Sequence, residues 1–230
     1  MKVAIITGAG SGVGRALSTM LSNSGWHLGL AGRRREPLDE TARLCPAETE
    51  VIPTDISVPA EASSLVARVK ERFGRIDALI NNAGCVIAKP IGETDPSSLE
   101  KVFAINALGP GYLISAAWNH FVTQGKGCVV NLSTMGSKDP FPGLLAYAAA
   151  KTATESFVRS IVNEGAEHGI RAFAVAPGAI DTAMLRDVLD ESVIEGIETL
   201  SPEEVAKVVV ACIEGDRDAD VGQTIYLAPG

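Results

Sequence analysis

The sequence lacks several features that would point to particular classes of protein. Its 20 basic residues are outnumbered by 28 acidic ones, and the resulting net charge of −8 argues against nucleic acid or an anionic membrane surface as a partner. The four cysteines are far apart without C-x-x-C spacing and the three histidines are scattered, so we expect neither a disulfide framework nor a metal site. No apolar run approaches the length of a membrane span.

What the chain does contain indicates one compact domain over residues 1–230. Hydrophobic residues make up 46% of the sequence and the mean hydropathy is +0.19, enough to bury a substantial core without disulfides. The apolar stretch at the N-terminus ends at Thr7, which is too early for a secretory signal peptide. Together with the reduced cysteines, this predicts a cytoplasmic protein.

Short apolar runs alternate with amphipathic stretches along the whole chain. The predicted strands cover residues 3–7, 26–31, 50–53, 78–81, 128–132, 172–176 and 224–227. The predicted helices cover residues 13–22, 36–44, 60–73, 99–121, 147–167 and 202–213. This alternation predicts an α/β fold with right-handed βαβ units and a doubly wound parallel sheet covered by helices on both faces. Ligands of such sheets bind beyond the carboxyl ends of the strands.

A glycine-rich turn joins the first predicted strand to the first predicted helix. Gly8, Gly12 and Gly14 give the spacing T-G-x-x-x-G-x-G rather than the usual G-x-G-x-x-G. Glycines let the backbone approach a diphosphate closely, and the free N–H groups at a helix N-terminus favour an anion. The alternative is that the glycines only form a turn at the helix N-terminus. The position of this turn directly after a strand favours phosphate binding instead.

Tyr147 and Lys151 stand four residues apart in an alanine-rich stretch without proline. Such a stretch predicts a helix, on which the two side chains share a face. The ammonium should favour the phenolate and lower the pKa of Tyr147 from its ordinary value of about 10. A phenol of this kind can give or take a proton at a carbonyl or alcohol oxygen. The alternative is an exposed pair on a solvated helix face.

The glycine-rich turn and the Tyr-Lys pair belong to a longer series of motifs. In its order and approximate spacing, this series resembles that of the short-chain dehydrogenase/reductase family. Besides residues 7–14 and the Tyr-x-x-x-Lys pair, the matching signs are Asp55, Asn-Asn-Ala-Gly at 81–84, Asn106 and Pro-Gly-Ala-Ile-Asp-Thr at 177–182. They extend from the first strand almost to the C-terminus. The resemblance implies a single Rossmann-type domain with about seven strands and a nicotinamide cofactor. It also implies hydride transfer between that cofactor and a carbonyl or alcohol carbon.

The resemblance further implies which residues contact the cofactor. From the diphosphate through the adenine and adenosine to the nicotinamide, these residues are Gly8, Ser11, Gly12, Val13, Gly14, Asp55, Ile56, Asn82, Ala83, Gly84, Pro177, Gly178, Ile180 and Thr182. Each group has a purely structural alternative. Asp55 could cap a helix or a turn, residues 81–84 could form a tight turn, and residues 177–182 could be an ordinary Pro-Gly exit from a strand.

The end of the second strand predicts which nicotinamide cofactor is preferred. An acidic residue there binds the ribose 2′-hydroxyl of NAD, whereas an Arg nearby accommodates the 2′-phosphate of NADP. Gly32 stands where the acid would be, and Arg33 follows it. Because a guanidinium can fork onto a phosphate, we predict a preference for NADP(H), with NAD(H) as the alternative. A basic, solvated helix start is the structural alternative, and Ser11 lacks the extra positive charge that some NADP enzymes carry there.

The resemblance also assigns the catalytic residues. Tyr147 would be the general acid or base, Lys151 would lower its pKa and hold the nicotinamide ribose, and Asn106 would kink its helix and anchor a water. The family usually has a Ser thirteen residues before the Tyr, where this chain has Thr134. We therefore expect Thr134 to orient the substrate oxygen, with Ser133 as the alternative if the strand end bulges, because neighbours on a strand point to opposite faces.

The substrate is predicted only by class, as a small carbonyl compound or alcohol. The pocket would be mostly apolar, with Cys85, Met135, Phe141, Leu144 and Met184 as its expected lining. By analogy with the family, the long helices predict a homodimer or a homotetramer. Two other functions remain open: a non-catalytic NADP-binding sensor or scaffold on the same fold, and an enoyl reductase or epimerase on a related scaffold.

Overall fold

A parallel sheet of seven strands lies at the centre of the computed structural model, which describes residues 1–188, 194 and 196–229. The strand order is β3-β2-β1-β4-β5-β6-β7. Residues 189–193, 195 and 230 of the predicted domain lie outside this description. The strands are β1 (Lys2–Thr7), β2 (Trp26–Gly32), β3 (Thr49–Pro53), β4 (Ala78–Asn81), β5 (Gly127–Leu132), β6 (Ile170–Pro177) and β7 (Thr224–Leu227).

Helices follow the strands in nearly every connection. They are α1 (Gly12–Asn23), α2 (Arg35–Arg43), α3 (Pro59–Phe73), α4 (Pro96–Phe103), α5 (Gly109–Gln124), α6 (Leu145–Gly165), α7 (Ala183–Arg186) and α8 (Pro202–Glu214). The predicted α/β class and doubly wound sheet are confirmed, with most elements beginning and ending within a few residues of the predicted positions. No helix in the described part of the chain is both long and apolar enough to cross a bilayer.

The strands are apolar on both sides because helices cover both faces of the sheet. In β1, Ala4 and Ile6 pack with α1, α2 and α8 on one face. Val3 and Ile5 alternate with them and pack with α3, α5 and α6 on the other face. All four side chains are fully buried, as expected of a parallel strand that is covered on both sides.

The helix predicted over residues 99–121 is interrupted in the structure. A π-helical turn (Ala104–Leu108) separates α4 from α5. Two local causes are evident. Asn106 Nδ2 donates to the Val102 carbonyl at 2.9 Å, and Pro110 has no N–H with which to continue the helical ladder. The interruption turns the Asn106 side chain into the protein, where it is fully buried.

The register of the sheet brings the carboxyl ends of its strands to one edge. Thr7 pairs with Ala31, and Asn81 pairs with Asn131. The turns that follow β1 to β6 therefore meet at that edge, and the sheet order reverses between β1 and β4. A ligand site is expected at this position in a doubly wound sheet.

Candidate active site

The glycine-rich turn after β1 is held by the turn after β4. Asn82 Nδ2 donates to the Thr7 carbonyl at 2.8 Å, and the backbone N–H groups of Asn82 and Ala83 each donate to Thr7 Oγ1 at 3.0 Å. Thr7 Oγ1 in turn donates to the Ile80 carbonyl at 3.2 Å. The fully buried Thr7 thus ties the two turns together, a role that its sequence position before the glycines did not reveal.

Gly14 and the start of α1 leave room for an anion at the end of β1. A Cβ on Gly14 would lie 2.1 Å from the Gly8 carbonyl oxygen and 2.7 Å from Asn82 Nδ2, so only glycine lets α1 approach the turn this closely. Ser11 caps α1 without a side-chain hydrogen bond, and the first turn holds no acidic residue. The N–H groups of that turn are therefore left to a ligand, and the site fits a diphosphate.

Two clefts open at this edge of the sheet and share part of their lining. The smaller, of about 170 Å³, lies between the ends of β2, β3 and β4. The larger, of about 720 Å³, extends from the glycine turn past Tyr147 to the start of α8. The residues common to both are Gly8, Ser11, Ala83 and Gly84.

The clefts bring together most of the residues that the sequence predicted. Arg33, Asp55 and Ile56 line the smaller cleft. The larger cleft is lined by Gly12, Val13, Asn82, Tyr147, Lys151, Pro177, Ile180 and Thr182. Four predicted residues line neither cleft: Gly14, Asn106, Thr134 and Gly178. Of the expected apolar pocket, Cys85 lines the smaller cleft and Met184 the larger, whereas Met135, Phe141 and Leu144 line neither.

Positive charge is concentrated at the smaller cleft. Arg33 and Arg34 are both exposed and line it, and within the described residues neither forms a salt bridge. Asp55 accepts hydrogen bonds from Ser57 Oγ at 2.6 Å and from Ser57 N–H at 3.0 Å. The Ser57 hydroxyl, and to a smaller extent Arg33, lower the pKa of Asp55. Asp55 therefore has both roles, since it stabilises a turn and also lines the cleft. Arg34 is a further lining residue, which the sequence analysis missed.

Asn106 joins the π-helical turn to the segment after β4. Its Nδ2 donates to the Cys85 carbonyl at 2.8 Å, and its Oδ1 accepts from the Cys85 N–H at 3.1 Å. A Cβ on Gly84 would lie 2.7 Å from Asn106 Oδ1 and 3.5 Å from Lys151 Nζ, so glycine is required between them. The predicted kink at Asn106 is confirmed as a π-helical turn, while the predicted water remains a prediction.

Tyr147 and Lys151 lie on the first turns of α6 and both line the larger cleft. Lys151 is buried, and its Nζ donates to the Leu132 carbonyl at 2.6 Å. Burial lowers the pKa of Lys151 to about 8. Burial also raises the pKa of Tyr147 to about 12. The pKa of Tyr147 thus moves in the direction opposite to the predicted one, because the loss of solvent is its largest cause.

The hydroxyls of Ser133 and Thr134 have different surroundings. Ser133 is buried, and its Oγ donates to Glu155 Oε1 at 2.5 Å. Thr134 is half-buried, and its Oγ1 accepts from the Gly136 N–H at 3.2 Å. The Thr134 hydroxyl proton has no acceptor among the described residues. Ser133 lines the larger cleft and Thr134 does not, yet only Thr134 keeps a proton to donate.

The comparisons with known proteins agree with this geometry. The short chain dehydrogenase family model matches residues 2–192. The chain belongs to the short-chain dehydrogenase family. It is 30% identical to an uncharacterized oxidoreductase of Staphylococcus aureus (strain MW2), over 80% of each chain. It is 29% identical to another of Staphylococcus saprophyticus, over 96% of this chain and 95% of that one.

Solved structures with the same fold include enzymes of this family. Levodione reductase superposes with a TM-score of 0.94 and 30% identity, over 98% of this chain and 95% of that chain. A 3-ketoacyl-(acyl-carrier-protein) reductase from Brucella melitensis, complexed with NADH, superposes with a TM-score of 0.93 over 100% and 97%, at 24% identity. The chain is thus an oxidoreductase that acts on CH–OH or C=O groups of small molecules, in a family that binds a nicotinamide cofactor.

Proposed function

We propose that this enzyme is an NADP(H)-dependent carbonyl reductase in which Tyr147 donates the proton. The observation that carries the proposal is the phenol of Tyr147 in the larger cleft, where burial raises its pKa to about 12. A phenol with this pKa is protonated at neutral pH, so it is ready to donate a proton to a carbonyl oxygen. Alcohol oxidation at the same site would require the phenolate instead.

The cofactor would lie along the two clefts, at the carboxyl edge of the sheet. Gly8, Ser11, Gly12 and Val13 would hold its diphosphate at the start of α1, with Gly14 allowing the close approach. Its adenine half would use the lining of the smaller cleft. Ala83 and Gly84 line both clefts, and Asn82 lines the larger one beside them. Pro177, Gly178, Ile180 and Thr182 would flank the nicotinamide. When bound, the nicotinamide supplies the hydride for the substrate carbon or accepts it from there.

The preference for NADP(H) rests on charge at the end of β2. Arg33 and Arg34 supply two guanidinium groups to the smaller cleft, and Gly32 supplies no carboxylate that would repel a phosphate. A guanidinium makes forked, charge-assisted hydrogen bonds to a phosphate that it cannot make to a neutral hydroxyl. These two side chains favour a cofactor with a 2′-phosphate, and NAD(H) is the weaker alternative.

Thr134 is the group that we propose to orient the substrate carbonyl. Its hydroxyl has a proton to donate, whereas the Ser133 hydroxyl is committed to Glu155. A donor aimed at the carbonyl oxygen stabilises the charge that develops there in the transition state. The substrate itself would be small and mostly apolar, since Met184 and Ile180 contribute apolar side chains to the larger cleft.

Turnover of NADPH with a panel of ketones, aldehydes and quinones tests this function. Wild type should oxidise NADPH with at least one carbonyl class, and Tyr147→Phe should lose that activity while still binding NADPH. Tyr112→Phe is the matched control, because Tyr112 lies on α5 and lines neither cleft. A wild type that binds NADPH tightly but reduces nothing would refute the reductase and favour the sensor or scaffold.

We further propose a cytoplasmic location and a homodimer or homotetramer. The proposed location rests on the four cysteines, which are all free thiols, as a reducing compartment would keep them.

The proposed homodimer or homotetramer rests on a groove of about 470 Å³ between α5 and α6. Trp118 and Phe157 contribute partly exposed aromatic side chains to this groove. Light scattering of the purified protein tests the assembly, and a monomeric mass would contradict it.

A further inference from the structure

Glu155 is a buried carboxylate one helical turn beyond Lys151 on α6. Only 7% of it is exposed. Its Oε1 accepts hydrogen bonds from Ser133 Oγ and from Ser137 Oγ, both at 2.5 Å. It forms no salt bridge within the described part of the chain. A carboxylate removed from water is costly unless hydrogen bonds replace the lost hydration, so these two hydroxyls fix its place.

The two serines stand on either side of Thr134 in the chain. Ser133 directly follows β5, and Ser137 ends the short 3₁₀ turn Met135–Ser137. Ser137 Oγ also lies 2.8 Å from the Thr134 carbonyl oxygen, so its single proton serves two acceptors. The carboxylate of Glu155 therefore holds both ends of the segment that carries the Thr134 hydroxyl, and it holds them against the helix that carries Tyr147.

The geometry points to Glu155 as a positioning residue that sets the Thr134 hydroxyl relative to Tyr147. This inference rests on the proposed function, since it concerns the same carbonyl site. Glu155 lines neither cleft, so it would contact neither substrate nor cofactor. It acts through Ser133 and Ser137, which keep residues 133–137 in one conformation. Removing the carboxylate would free both hydroxyls and let Thr134 move away from the position where its hydroxyl meets the substrate oxygen.

A double-mutant cycle between Glu155 and Thr134 tests this role. We expect Glu155→Ala to lower kcat for carbonyl reduction by about tenfold, with the Kd for NADPH changed by less than about twofold. In a Thr134→Ala background, Glu155→Ala should cause no further loss, because the hydroxyl that it positions is already absent. Glu155→Gln keeps an acceptor oxygen and should recover part of the activity.

Controls separate positioning from a general loss of structure. Glu167→Ala removes an exposed carboxylate just beyond α6 and should leave kcat unchanged. If Glu155→Ala does not fold, Ser137→Ala enters the same cycle, since Ser137 is only half-buried. Equal losses of kcat in the wild-type and Thr134→Ala backgrounds, or no loss in either, would overturn the role of Glu155 while leaving the reductase intact. A wild type without turnover would overturn both proposals.

Discussion

Lys151 Nζ lies 5.9 Å from the centroid of the Tyr147 ring and donates its hydrogen bond elsewhere, to the Leu132 carbonyl at 2.6 Å. The ammonium is thus held by the backbone at the end of β5. Burial favours the neutral form of both groups, with a pKa of about 12 for Tyr147 and about 8 for Lys151. At neutral pH the pair consists of a protonated phenol and a lysine that is still mostly charged.

The rate of carbonyl reduction should therefore fall as the pH rises through about 8. The charged form of Lys151 is present below its pKa and lost above it, while Tyr147 stays protonated up to about pH 12. We expect kcat/KM to be level near neutral pH and to decline about tenfold per pH unit above the lysine pKa. A pH profile of kcat/KM for reduction by NADPH measures this.

Lys151→Arg is the control for that profile. A guanidinium stays charged across the same range, so whatever activity the variant keeps should be independent of pH near 8. A decline of the same size and midpoint in Lys151→Arg would assign the titration to another group.

Lys151 should also lower the stability of the fold. Burial lowers its pKa from 10.5 to about 8, which corresponds to a cost on the order of 3 kcal/mol. Because the folded pKa is the lower one, this cost is complete below about pH 8 and is relieved as the pH rises towards 10.5. Lys151→Met should raise the free energy of unfolding near neutral pH while abolishing reduction.

Urea unfolding of both proteins at several pH values measures this cost. The wild type should gain stability between about pH 8 and pH 10, and Lys151→Met should lack that gain. Parallel pH dependence in the two proteins would show that the burial of Lys151 carries no such cost.

Charge at the end of β2 should decide between NADPH and NADH. Arg33→Ala should lower kcat/KM for NADPH by about tenfold or more and leave that for NADH nearly unchanged. Gly32→Asp should add to the effect by placing a carboxylate near the 2′-position. The added Cβ would be 3.4 Å from the Leu38 side chain, an ordinary contact.

Arg35→Ala is the matched control for Arg33→Ala. Arg35 is also exposed, but its guanidinium lies 3.8 Å from Asp39 on α2 and outside the smaller cleft. We expect its kcat/KM ratio for NADPH over NADH to equal that of wild type. Equal losses with both cofactors in Arg33→Ala would refute a role in recognising the phosphate.

Much of the fold and the cofactor edge could be predicted because local patterns determine them. The alternation of apolar strands and amphipathic helices determines the parallel sheet, and the sheet brings the strand ends to one edge. Glycine at positions 8, 12 and 14 indicated a close backbone approach, which Gly14 makes against the Gly8 carbonyl. Asn106 was predicted to kink its helix, and the π-helical turn is there.

The electrostatics of the site could not be predicted from spacing alone. Tyr147 and Lys151 do share a stretch of helix, but the sequence does not say how much solvent each one loses, and burial reverses the expected direction of the Tyr147 pKa. Glu155 has the appearance of an ordinary acidic residue on a helix until the fold places Ser133 and Ser137 against it. Both effects arise from contacts between segments distant in the chain.

The choice between Thr134 and Ser133 can be settled by removing one hydroxyl at a time. Thr134→Ala should lower kcat for reduction by about a hundredfold, the usual cost of one donor to a developing oxyanion, and Thr134→Ser should retain most of the activity. Ser133→Ala removes only one of two hydrogen bonds to Glu155, so its loss should be much smaller. Steady-state kcat with saturating NADPH measures all three variants. If Ser133→Ala destroys activity and Thr134→Ala keeps it, the substrate is oriented by Ser133, and its hydrogen bond to Glu155 must break when the substrate binds.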